Sequence, residues 1–274
     1  MKRFDSSKYL GLPLGEVLGL ASKSVESGTE ALKEAQNIFR LCLEQNIPLH
    51  LKGDIRGKLW TVEKQLGFHT RYFSQSGQDR FIHETIFKTR KNGTFVEIGG
   101  YNGWQGSNCL FFEKMRNWKG LIVEASPSLV GLIAEIRNSE VIHAAISDHD
   151  GTVEFMDVTS GFTQMSGIVN HIDREQLSVT RENPKHKETI VQVPSMRLST
   201  LLRKYDLNEI DYCSIDVEGA ERAILSCFDF DEFNISVFSL ENQTGNPSGS
   251  YEDIMEPAGY RLLSVVGLDE IWVK

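Results

Sequence analysis

Cysteine and long apolar runs are scarce in this chain of 274 residues, and each scarcity excludes a class of protein. The four cysteines lie far apart, with no CxxC motif and no histidine at metal-ligand spacing. This pattern predicts reduced thiols in a cytoplasmic protein rather than a disulfide scaffold or a zinc module. No stretch approaches the roughly 18 apolar residues that a membrane-spanning helix needs. Asp5, Lys8 and Glu16 interrupt the leucines of the N-terminal segment, so we expect no export signal there.

Clusters of basic residues are missing as well. The chain has 29 Lys and Arg against 38 Asp and Glu, for a net charge of -9 at pH 7. Affinity for nucleic acid depends on clustered Lys and Arg, and the basic stretch Lys114–Lys119 contains only three cations around a tryptophan. We therefore expect no nucleic-acid partner.

The first 70 residues carry a helical pattern. Apolar residues recur at spacings of three and four from Gly15 to about Gln45, Gly28 divides the segment, and Asn46-Ile-Pro ends it. We expect residues 1–70 to form a helical extension that packs on the main domain or on another subunit. In the second case these helices would build a homo-oligomer.

From about Thr94 the pattern changes to short β-rich runs that alternate with helical segments. The predicted strands are residues 94–98, 120–125, 140–146, 211–217, 235–241, 260–266 and 269–273. The predicted helices lie near 107–116, 127–137, 199–205, 219–226 and 251–257. This alternation predicts an α/β domain over residues 71–274, with a mostly parallel sheet covered on both faces. Only Gly267 and Leu268 separate the last two strands, so these should pair as an antiparallel hairpin.

Two segments between residues 151 and 188 fall outside that rhythm. Gly151–Val158 alternates apolar and polar residues and is expected to form an additional edge strand. Thr159–Glu188 is polar and has no clear period, which is typical of a lid, a substrate loop or a disordered excursion.

The segment TFVEIGGYNGWQGSN, residues 94–108, places a glycine-rich loop after a strand. Gly99, Gly100 and Gly103 allow a sharp turn with the backbone close to a ligand, beyond the carboxyl end of the strand. Tyr101 stands where the dinucleotide fingerprint needs glycine. A loop built for pyrophosphate avoids a nearby carboxylate, whereas Glu97 suits a cationic ligand. This combination favours S-adenosylmethionine, which carries a sulfonium and no phosphate, over NAD.

Glu124 ends the next predicted strand, about 20 residues after the loop, at the position of an acid that accepts hydrogen bonds from both ribose hydroxyls. A solvated strand end is the alternative for Glu97 or Glu124 taken alone. Their spacing, together with the glycines, predicts a cofactor site.

The stretches FVEIGGYNG, LIVEASPS, AAISDHDGTVEF, YCSIDVEGAERAIL and FSQSGQD together resemble the FkbM family of S-adenosylmethionine-dependent methyltransferases. The resemblance extends from about Phe73 to Lys274. It implies a class I methyltransferase fold, Rossmann-like, with a seven-stranded sheet and a reversed final strand. It also implies methyl transfer, usually to a hydroxyl of a sugar, a glycan precursor or a related natural-product intermediate.

The resemblance assigns cofactor roles by position. It implies that the first cofactor motif consists of Glu97, Gly99 and Gly103, and that Glu124 binds the ribose. By the same resemblance Ser126, Ala145 and Ile146 lie near the adenine. The chain departs from the common pattern with Glu97 in place of Asp and Gly100 in place of Ala, changes that keep the charge and the small size. In FSQSGQD, Gln75 is the candidate for closing over the cofactor, and the alternative is that Asp79 is the N-cap of the following helix.

A second acidic group follows the fourth strand of the predicted fold: Asp216, Glu218 and Glu221. One interpretation is that these acids only stabilise the positive end of the next helix. The next strand ends in Glu241 and Asn242, so their side chains should meet Asp216 at the same edge of the sheet. Asp216, Glu241 and Asn242 are therefore candidate ligands of Mg²⁺, which would lower the pKa of an acceptor hydroxyl and orient it.

Without a metal, the reaction needs a general base to take one proton from the acceptor. The candidates are Asp216 and Glu218, with His171 of the polar segment as a further candidate. Trp104, beside the glycine loop, either covers the cofactor or acceptor or has a packing role.

The leading prediction is a cytoplasmic S-adenosylmethionine-dependent O-methyltransferase with a small-molecule or glycan acceptor. The alternatives are N-methyl transfer, a different small-molecule acceptor, and a cofactor-binding or assembly module without catalysis. Acceptor specificity should reside in Thr159–Glu188, Gly245–Ser250 and the N-terminal helices.

Overall fold

The computed structural model describes residue 9 and residues 12–25, 29–243 and 250–274. The strands, in chain order, are β1 (Thr94–Ile98), β2 (Lys119–Glu124), β3 (Glu140–His143), β4 (Ala145–Ile146), β5 (Gly151–Ser160), β6 (Gly167–Ile168), β7 (Lys187–Met196), β8 (Glu209–Ile215), β9 (Asn234–Glu241), β10 (Arg261–Val266) and β11 (Asp269–Val273). The helices are α1 (Leu14–Val25), α2 (Thr29–Leu43), α3 (Leu49–Gln65), α4 (Gln78–Ile82), α5 (Leu110–Arg116), α6 (Val130–Ile136), α7 (Arg174–Glu182), α8 (Leu198–Lys204), α9 (Glu221–Ser226) and α10 (Glu252–Met255).

Seven strands form the main sheet in the order β10-β11-β9-β8-β1-β2-β3. Neighbours from β9 to β3 run parallel, and only β11 is reversed, between β9 and β10. This is the strand order of the class I methyltransferase fold, and it confirms the predicted seven-stranded sheet with its reversed last strand. The hairpin predicted around Gly267 and Leu268 is present.

Apolar residues fill both faces of this sheet, as expected for parallel strands covered on both sides. On one face Val96, Ile98 and Cys213 pack in a core that includes residues of α8, α9 and α10. On the other face Phe95 and Tyr212 pack in a core that includes residues of α4, α5 and α6. Successive residues of β1 alternate between the two cores because side chains of a strand point to opposite faces.

A second sheet, in the order β4-β7-β5-β6, corrects two sequence expectations. The run 140–146 is not one strand: β3 ends at His143 in the main sheet, and Ala145 begins β4 in the second sheet. Gly151–Val158 is not an edge strand, because β5 lies between β7 and β6. The segment 159–188 is also more ordered than a loop, since it contains β6, a short 3-10 turn at Thr163–Met165 and α7.

The N-terminal extension contains α1, α2 and also α3, a helix that the sequence pattern did not reveal. Gly28, the predicted break, lies outside the described residues. The three helices share a core of their own, in which Ile38, Phe39 and Ile55 are almost fully buried. Among the described residues, no helix combines the length and the apolarity that crossing a bilayer requires.

Helix α3 fixes this extension on β10 of the main sheet. Arg56 Nη1 donates to Ser264 Oγ and to the Val265 carbonyl oxygen, both at 2.7 Å. The Gly53 carbonyl oxygen accepts a hydrogen bond from the Gly267 amide at 3.1 Å, and a Cβ at Gly53 would lie 2.4 Å from Val265 Cγ1. The close approach of helix and hairpin therefore needs glycine at this position.

Candidate active site

A cavity of about 890 Å³ opens at the carboxyl ends of β1, β2, β8 and β9. Open parallel sheets bind ligands at this edge. The glycine loop after β1, the end of β2, the segment 163–168 and α3 supply most of its walls. The volume lies near the upper end of the roughly 300–1,000 Å³ that is typical of ligand pockets.

The glycine loop is held in place by backbone contacts. The amides of Gly99 and Gly100 both donate to the Val123 carbonyl oxygen, at 2.9 and 3.2 Å. Gly99 has a φ of +86°, and a Cβ there would lie 1.7 Å from the Asp216 carbonyl oxygen, so only glycine fits between β1 and β8. Gly99 and Gly100 line the cavity, whereas Gly103, with a φ of +78°, packs behind the loop against Ile133.

Glu97 lines the cavity, but its charge is already compensated. Its Oε2 accepts a hydrogen bond from Arg137 Nη1 at 2.8 Å, and its Oε1 accepts from Ser107 Oγ at 2.7 Å. Arg137 also donates to Glu113 Oε2 at 3.0 Å and to the Gly103 carbonyl oxygen at 3.3 Å. The carboxylate thus fixes the shape of the loop through a fully buried arginine, which neutralises the charge that was expected to attract a cationic cofactor.

Glu124 presents its carboxylate to the cavity from the end of β2. Its Oε2 accepts from the Tyr101 amide and its Oε1 from the Ser126 amide, both at 2.7 Å. Desolvation raises the pKa of Glu124 to about 7, against the lowering effect of these hydrogen bonds. Each oxygen retains acceptor capacity, so the geometry is compatible with the predicted contact to ribose hydroxyls.

The predicted adenine wall is apolar. Ala145 and Ile146 line the cavity together with Ala125 and Leu129. Ser126 is fully buried and faces away, because its Oγ donates to Asp157 Oδ1 at 2.6 Å. Its side chain therefore supports the loop, and its backbone amide holds Glu124.

Four carboxylates gather where β8 and β9 end. Asp216, Glu218 and Glu241 line the cavity, and Glu221 lies directly behind them. One carboxylate oxygen each from Asp216, Glu221 and Glu241 lie within 4.8 Å of one another. Glu221 accepts hydrogen bonds from the amides of Val217 (2.8 Å) and Gly219 (3.1 Å), and so caps the turn before α9.

The electrostatics of this acidic group follow from desolvation and mutual repulsion. Desolvation is the largest effect and raises the pKa of Glu218 to about 8 and that of Glu221 to about 7. It also raises the pKa values of Asp216 and Glu241 well above the usual range, and the neighbouring acids add to this. Within the part of the chain that the structure describes, no Lys, Arg or His forms an ion pair with these four carboxylates.

The predicted metal ligands come together only in part. Asp216 and Glu241 are neighbours as expected, and Oε2 of Glu241 is buried without a hydrogen-bond partner. Asn242 is directed elsewhere, since its amide nitrogen donates to Glu270 Oε1 at 2.9 Å. The third oxygen ligand within reach belongs to Glu221.

The FSQSGQD segment closes one side of the cavity, and Gln75 lines it. Asp79 is not the N-cap of α4, because Gly77 occupies that position. The Asp79 carboxylate instead accepts hydrogen bonds from the Phe73 amide at 2.7 Å and from Ser74 Oγ at 2.6 Å. The acid therefore shapes the segment that carries Gln75.

The 163–168 segment covers the cavity next to the glycine loop. Thr163, Met165 and Ile168 line it, and the Tyr101 hydroxyl lies 2.7 Å from Thr163 Oγ1. His171 is not among the lining residues. Its backbone carbonyl oxygen packs closely on Gly219, where an added Cβ would lie only 2.5 Å away. The role of His171 as a base stays a prediction.

Residues 97–262, more than half of the chain, match the model of the methyltransferase FkbM domain. The chain belongs to the FkbM family of methyltransferases. The match begins at Glu97, the acid of the glycine loop, and contains both acidic groups of the cavity. The family predicted from the sequence is thereby confirmed.

Solved structures with low sequence identity accompany this match, and no curated protein sequence matches the chain. The methyltransferase FkbM from Methylobacillus flagellatus KT is 6% identical with a TM-score of 0.45, over 94% of this chain and 59% of that one. The chain thus spans less than two thirds of that protein's length. A SAM-dependent methyltransferase from Aquifex aeolicus is 14% identical with a TM-score of 0.35, over 78% of this chain and 95% of that one. A mutant of MtNAS in complex with S-adenosylmethionine is 11% identical with a TM-score of 0.40, over 98% of this chain and 95% of that one.

Two parts of the cavity are not predicted by the sequence. Arg137 lies 40 positions after Glu97, and no local pattern indicates that the two side chains meet. Trp60, Thr61 and Lys64 line the cavity from α3, in a part of the chain that carries no recognised motif. The available signal for α3 was the pattern of helix-forming residues that follows Pro48.

Proposed function

We propose that the protein transfers the methyl group of S-adenosylmethionine to a hydroxyl of a sugar, a glycan precursor or a related natural-product intermediate. The observation that carries the proposal is that Asp216 and Glu218 line the same cavity as the glycine loop and Glu124. One end of the cavity is thus suited to a nucleoside, and the other presents carboxylates to a reacting group.

The chemistry is an in-line displacement at carbon. The acceptor oxygen forms a bond to the methyl carbon, the bond between that carbon and sulfur breaks, and a carboxylate takes the hydroxyl proton. The protein contributes alignment of the two reactants and a general base. Glu218, with a pKa raised to about 8, is a stronger base than an ordinary carboxylate, and Asp216 is the second candidate.

In this proposal the cofactor lies along the strand ends. Glu124 binds the ribose, Ala145 and Ile146 flank the adenine, and Gly99 and Gln75 border the methionine part. All five line the cavity, which supports this arrangement. Glu97, Gly103 and Ser126 belong to the same cofactor motifs and act through the shape of the loops.

A divalent cation such as Mg²⁺ is a separate part of the proposal. Asp216, Glu221 and Glu241 offer the oxygen ligands that Mg²⁺ prefers, and the unpartnered Oε2 of Glu241 fits this use. When bound, the ion would lower the pKa of an acceptor hydroxyl. Calorimetry with MgCl₂ on wild type and Glu241→Gln tests binding directly. Absence of a heat signal, together with full activity after chelation, would remove the ion from the proposal.

The direct test of function is formation of S-adenosylhomocysteine with a panel of glycosides, nucleotide sugars and hydroxylated natural products. We expect turnover with at least one hydroxyl acceptor, and NMR of the product should show an O-methyl group. Tight binding of NAD in calorimetry, without binding of S-adenosylmethionine, would contradict the proposal. An absence of turnover across the panel, despite cofactor binding, would favour a non-catalytic binding module.

N-methylation is a second candidate, and the acidic group is the observation that favours it. Four carboxylates without a basic partner in the described chain attract a cationic amine more strongly than a neutral hydroxyl. Adding primary and secondary amines of matched size to the panel separates the two, because the attached atom is identified by NMR.

A cytoplasmic location and a homo-oligomer through the N-terminal helices also belong to the proposal. All four cysteines are free thiols, and this agrees with a reducing compartment. Light scattering of the full chain would test the oligomer: a monomeric mass at micromolar concentration argues against it.

A further inference from the structure

One wall of the cavity is not explained by the cofactor motifs. Trp60, Thr61, Lys64 and Gln65 of α3 belong to it, together with Trp104 and Gln105 of the loop after β1. The two parts are neighbours, because Trp60 contacts Tyr72 and Trp104 contacts Phe73. The N-terminal extension is therefore a wall of the same cavity that holds the acidic group and the glycine loop.

This wall is held rigidly. Trp60 is buried and stacks on His69, with ring centres 5.1 Å apart and an interplanar angle of 6°. The Lys64 ammonium donates to the Tyr72 carbonyl oxygen at 2.8 Å and lies 5.2 Å from the Trp60 ring. Together with the Arg56 contacts to β10, these interactions fix α3 before any ligand binds. Preorganised walls of this kind favour a specific binding site.

The chemistry of the wall is aromatic and neutral. Trp104 is 59% exposed, and Phe73 supports it in an edge arrangement at 6.3 Å. Gln65 and Gln105 are exposed and offer amide groups, which both donate and accept hydrogen bonds. The exposed Thr61 hydroxyl donates to the Gly57 carbonyl oxygen at 3.1 Å and retains acceptor capacity. An exposed indole provides a flat amphipathic surface for the C–H face of a sugar ring, while the amides match its hydroxyls.

The lining of the cavity carries more acidic than basic groups. Lys64 is the single cation among the described lining residues, and its ammonium donates to the Tyr72 carbonyl oxygen while keeping its charge. Asp216, Glu218 and Glu241 also line the cavity, and in their ionised form they repel an anionic group.

We propose that α3 and the Trp104 loop form a second subsite, which binds a neutral sugar ring next to the ring that receives the methyl group. The N-terminal extension thereby selects an acceptor of at least two sugar units. This inference rests on the proposed function, because it assumes that the methylated group is a sugar hydroxyl.

The test compares monosaccharides with disaccharides. The probes are methyl glucoside, methyl galactoside and methyl mannoside, with maltose, cellobiose, lactose and a mannobiose as extended counterparts. For wild type we expect KM to be at least about tenfold lower for the better disaccharide than for its monosaccharide. Trp104→Ala and Gln65→Ala should each raise KM for the disaccharide about tenfold. Both should leave the monosaccharide kcat/KM and the Kd of S-adenosylmethionine unchanged.

Two variants and a second readout keep the test specific. Trp104→Phe retains an aromatic ring and should restore most of the disaccharide affinity. Lys58→Ala changes an exposed residue of α3 that pairs with Asp54, and it should behave as wild type. Quenching of tryptophan fluorescence by the disaccharide, with S-adenosylhomocysteine present, reports binding without turnover. It should be weaker in Trp104→Phe, in which Trp60 is the remaining indole of this wall.

The outcomes separate the inference from the proposed function. If wild type methylates sugars with equal KM for both sizes, and the variants change nothing, the second subsite is overturned and sugar methylation stands. A loss of S-adenosylmethionine affinity in Trp104→Ala assigns that residue to the cofactor and overturns the inference. Acceptor binding that depends on Lys64 and falls steeply with salt indicates an anionic acceptor and also overturns it. A complete absence of turnover on sugars overturns the inference, and turnover on another hydroxyl acceptor of the panel would then leave the proposed function standing.

Discussion

At the residue scale, Gly99 shows how one missing β-carbon positions the cofactor loop. A Cβ at this position would lie 1.7 Å from the Asp216 carbonyl oxygen, and the φ of +86° adds strain for any other residue. We expect Gly99→Ala to lower the free energy of unfolding by about 1–3 kcal/mol or more and to abolish cofactor binding. Chemical denaturation and calorimetry with S-adenosylmethionine measure both effects.

Gly131→Ala is the matched control for this substitution. Gly131 lies in α6, where an added Cβ would have no neighbour within 4 Å and the backbone has no strained φ. Alanine in a helix should be neutral or stabilising by up to about 1 kcal/mol. Equal stability and equal cofactor affinity for Gly99→Ala and wild type would refute the role given to this glycine.

Glu218 is the proposed general base, and its raised pKa predicts how kcat/KM depends on pH. Desolvation raises its pKa to about 8, and a general base acts in its deprotonated form. The value of kcat/KM should therefore rise with pH and level off above about 8. Glu218→Gln should lower kcat/KM by about 10²–10⁴ and remove this rise. The control is Glu256→Gln, an exposed position outside the cavity.

A rise with pH that persists unchanged in Glu218→Gln would assign the proton transfer to another group. Asp216 is the next candidate, because it lines the same cavity wall. The same pH series on Asp216→Asn then decides between the two carboxylates.

At the scale of the elements, Arg137 joins β1, α5 and the glycine loop. Its side chain is fully buried between Glu97 and Glu113, which are themselves buried. Replacing it with methionine leaves Glu97 without a counter-ion and Glu113 with only its ion pair to Lys114 at 3.4 Å, which is expected to cost about 3–5 kcal/mol of stability. Arg137→Met should therefore unfold at markedly lower denaturant concentration and bind S-adenosylmethionine more weakly.

An exposed ion pair provides the comparison for Arg137. Arg203 pairs with Glu232 at the surface, where such pairs contribute roughly 0–1 kcal/mol. Arg203→Met should change the denaturation midpoint little. If the two substitutions had the same small effect, the ion pairs of Arg137 would not be what holds the loop.

The elements also show what a sequence reveals about this fold. Strands β1, β2, β8 and β9 were predictable because parallel strands buried on both faces form apolar runs. Their carboxyl ends share one edge, so Asp216 and Glu241 of the neighbouring strands β8 and β9 could be predicted to meet there, and Glu124 to lie at the same edge on β2. Strand β7 was not predicted, because its residues are largely exposed and include Pro194. Helix α3 was missed because Asn46-Ile-Pro indicates an end, and Gly53 and Gly57 interrupt the apolar pattern.

The α3 wall of the cavity, which we propose binds the acceptor, is positioned by tertiary contacts that no local sequence pattern predicts. Gly53 packs against Val265 of β10, far later in the chain, and this contact brings Trp60 and Gln65 to the cavity. The identity of the residues gives the chemistry of this wall, but only the packing of helix on hairpin gives its location. The strand-end residues of the cavity therefore follow from local sequence patterns, whereas the α3 wall does not.

At the scale of the whole molecule, a net charge of -9 and a cavity lined by acids make stability depend on pH. Glu124 and Glu221 have pKa values raised to about 7, and Glu218 to about 8, above the ordinary 4.5 that applies in the unfolded chain. Between pH 4.5 and these raised pKa values, the folded state holds protons that the unfolded chain has released. The stability that these groups contribute is therefore complete below pH 4.5 and falls as pH rises through 7 to 8.

A cationic cofactor should counteract this loss. S-adenosylmethionine carries a sulfonium, and S-adenosylhomocysteine lacks it, so the two ligands differ mainly in one positive charge next to the ionised carboxylates. We expect the Tm of the ligand-free protein to fall from about pH 5.5 to about pH 8, the range in which these acids ionise in the folded state. Over the same range, the Tm increase given by saturating S-adenosylmethionine should grow relative to that given by S-adenosylhomocysteine. Thermal unfolding at both pH values with each ligand measures this difference, and Glu218→Gln should reduce it. A difference that stays constant with pH would mean that the sulfonium lies away from the acidic group, at a different end of the cavity from the one proposed.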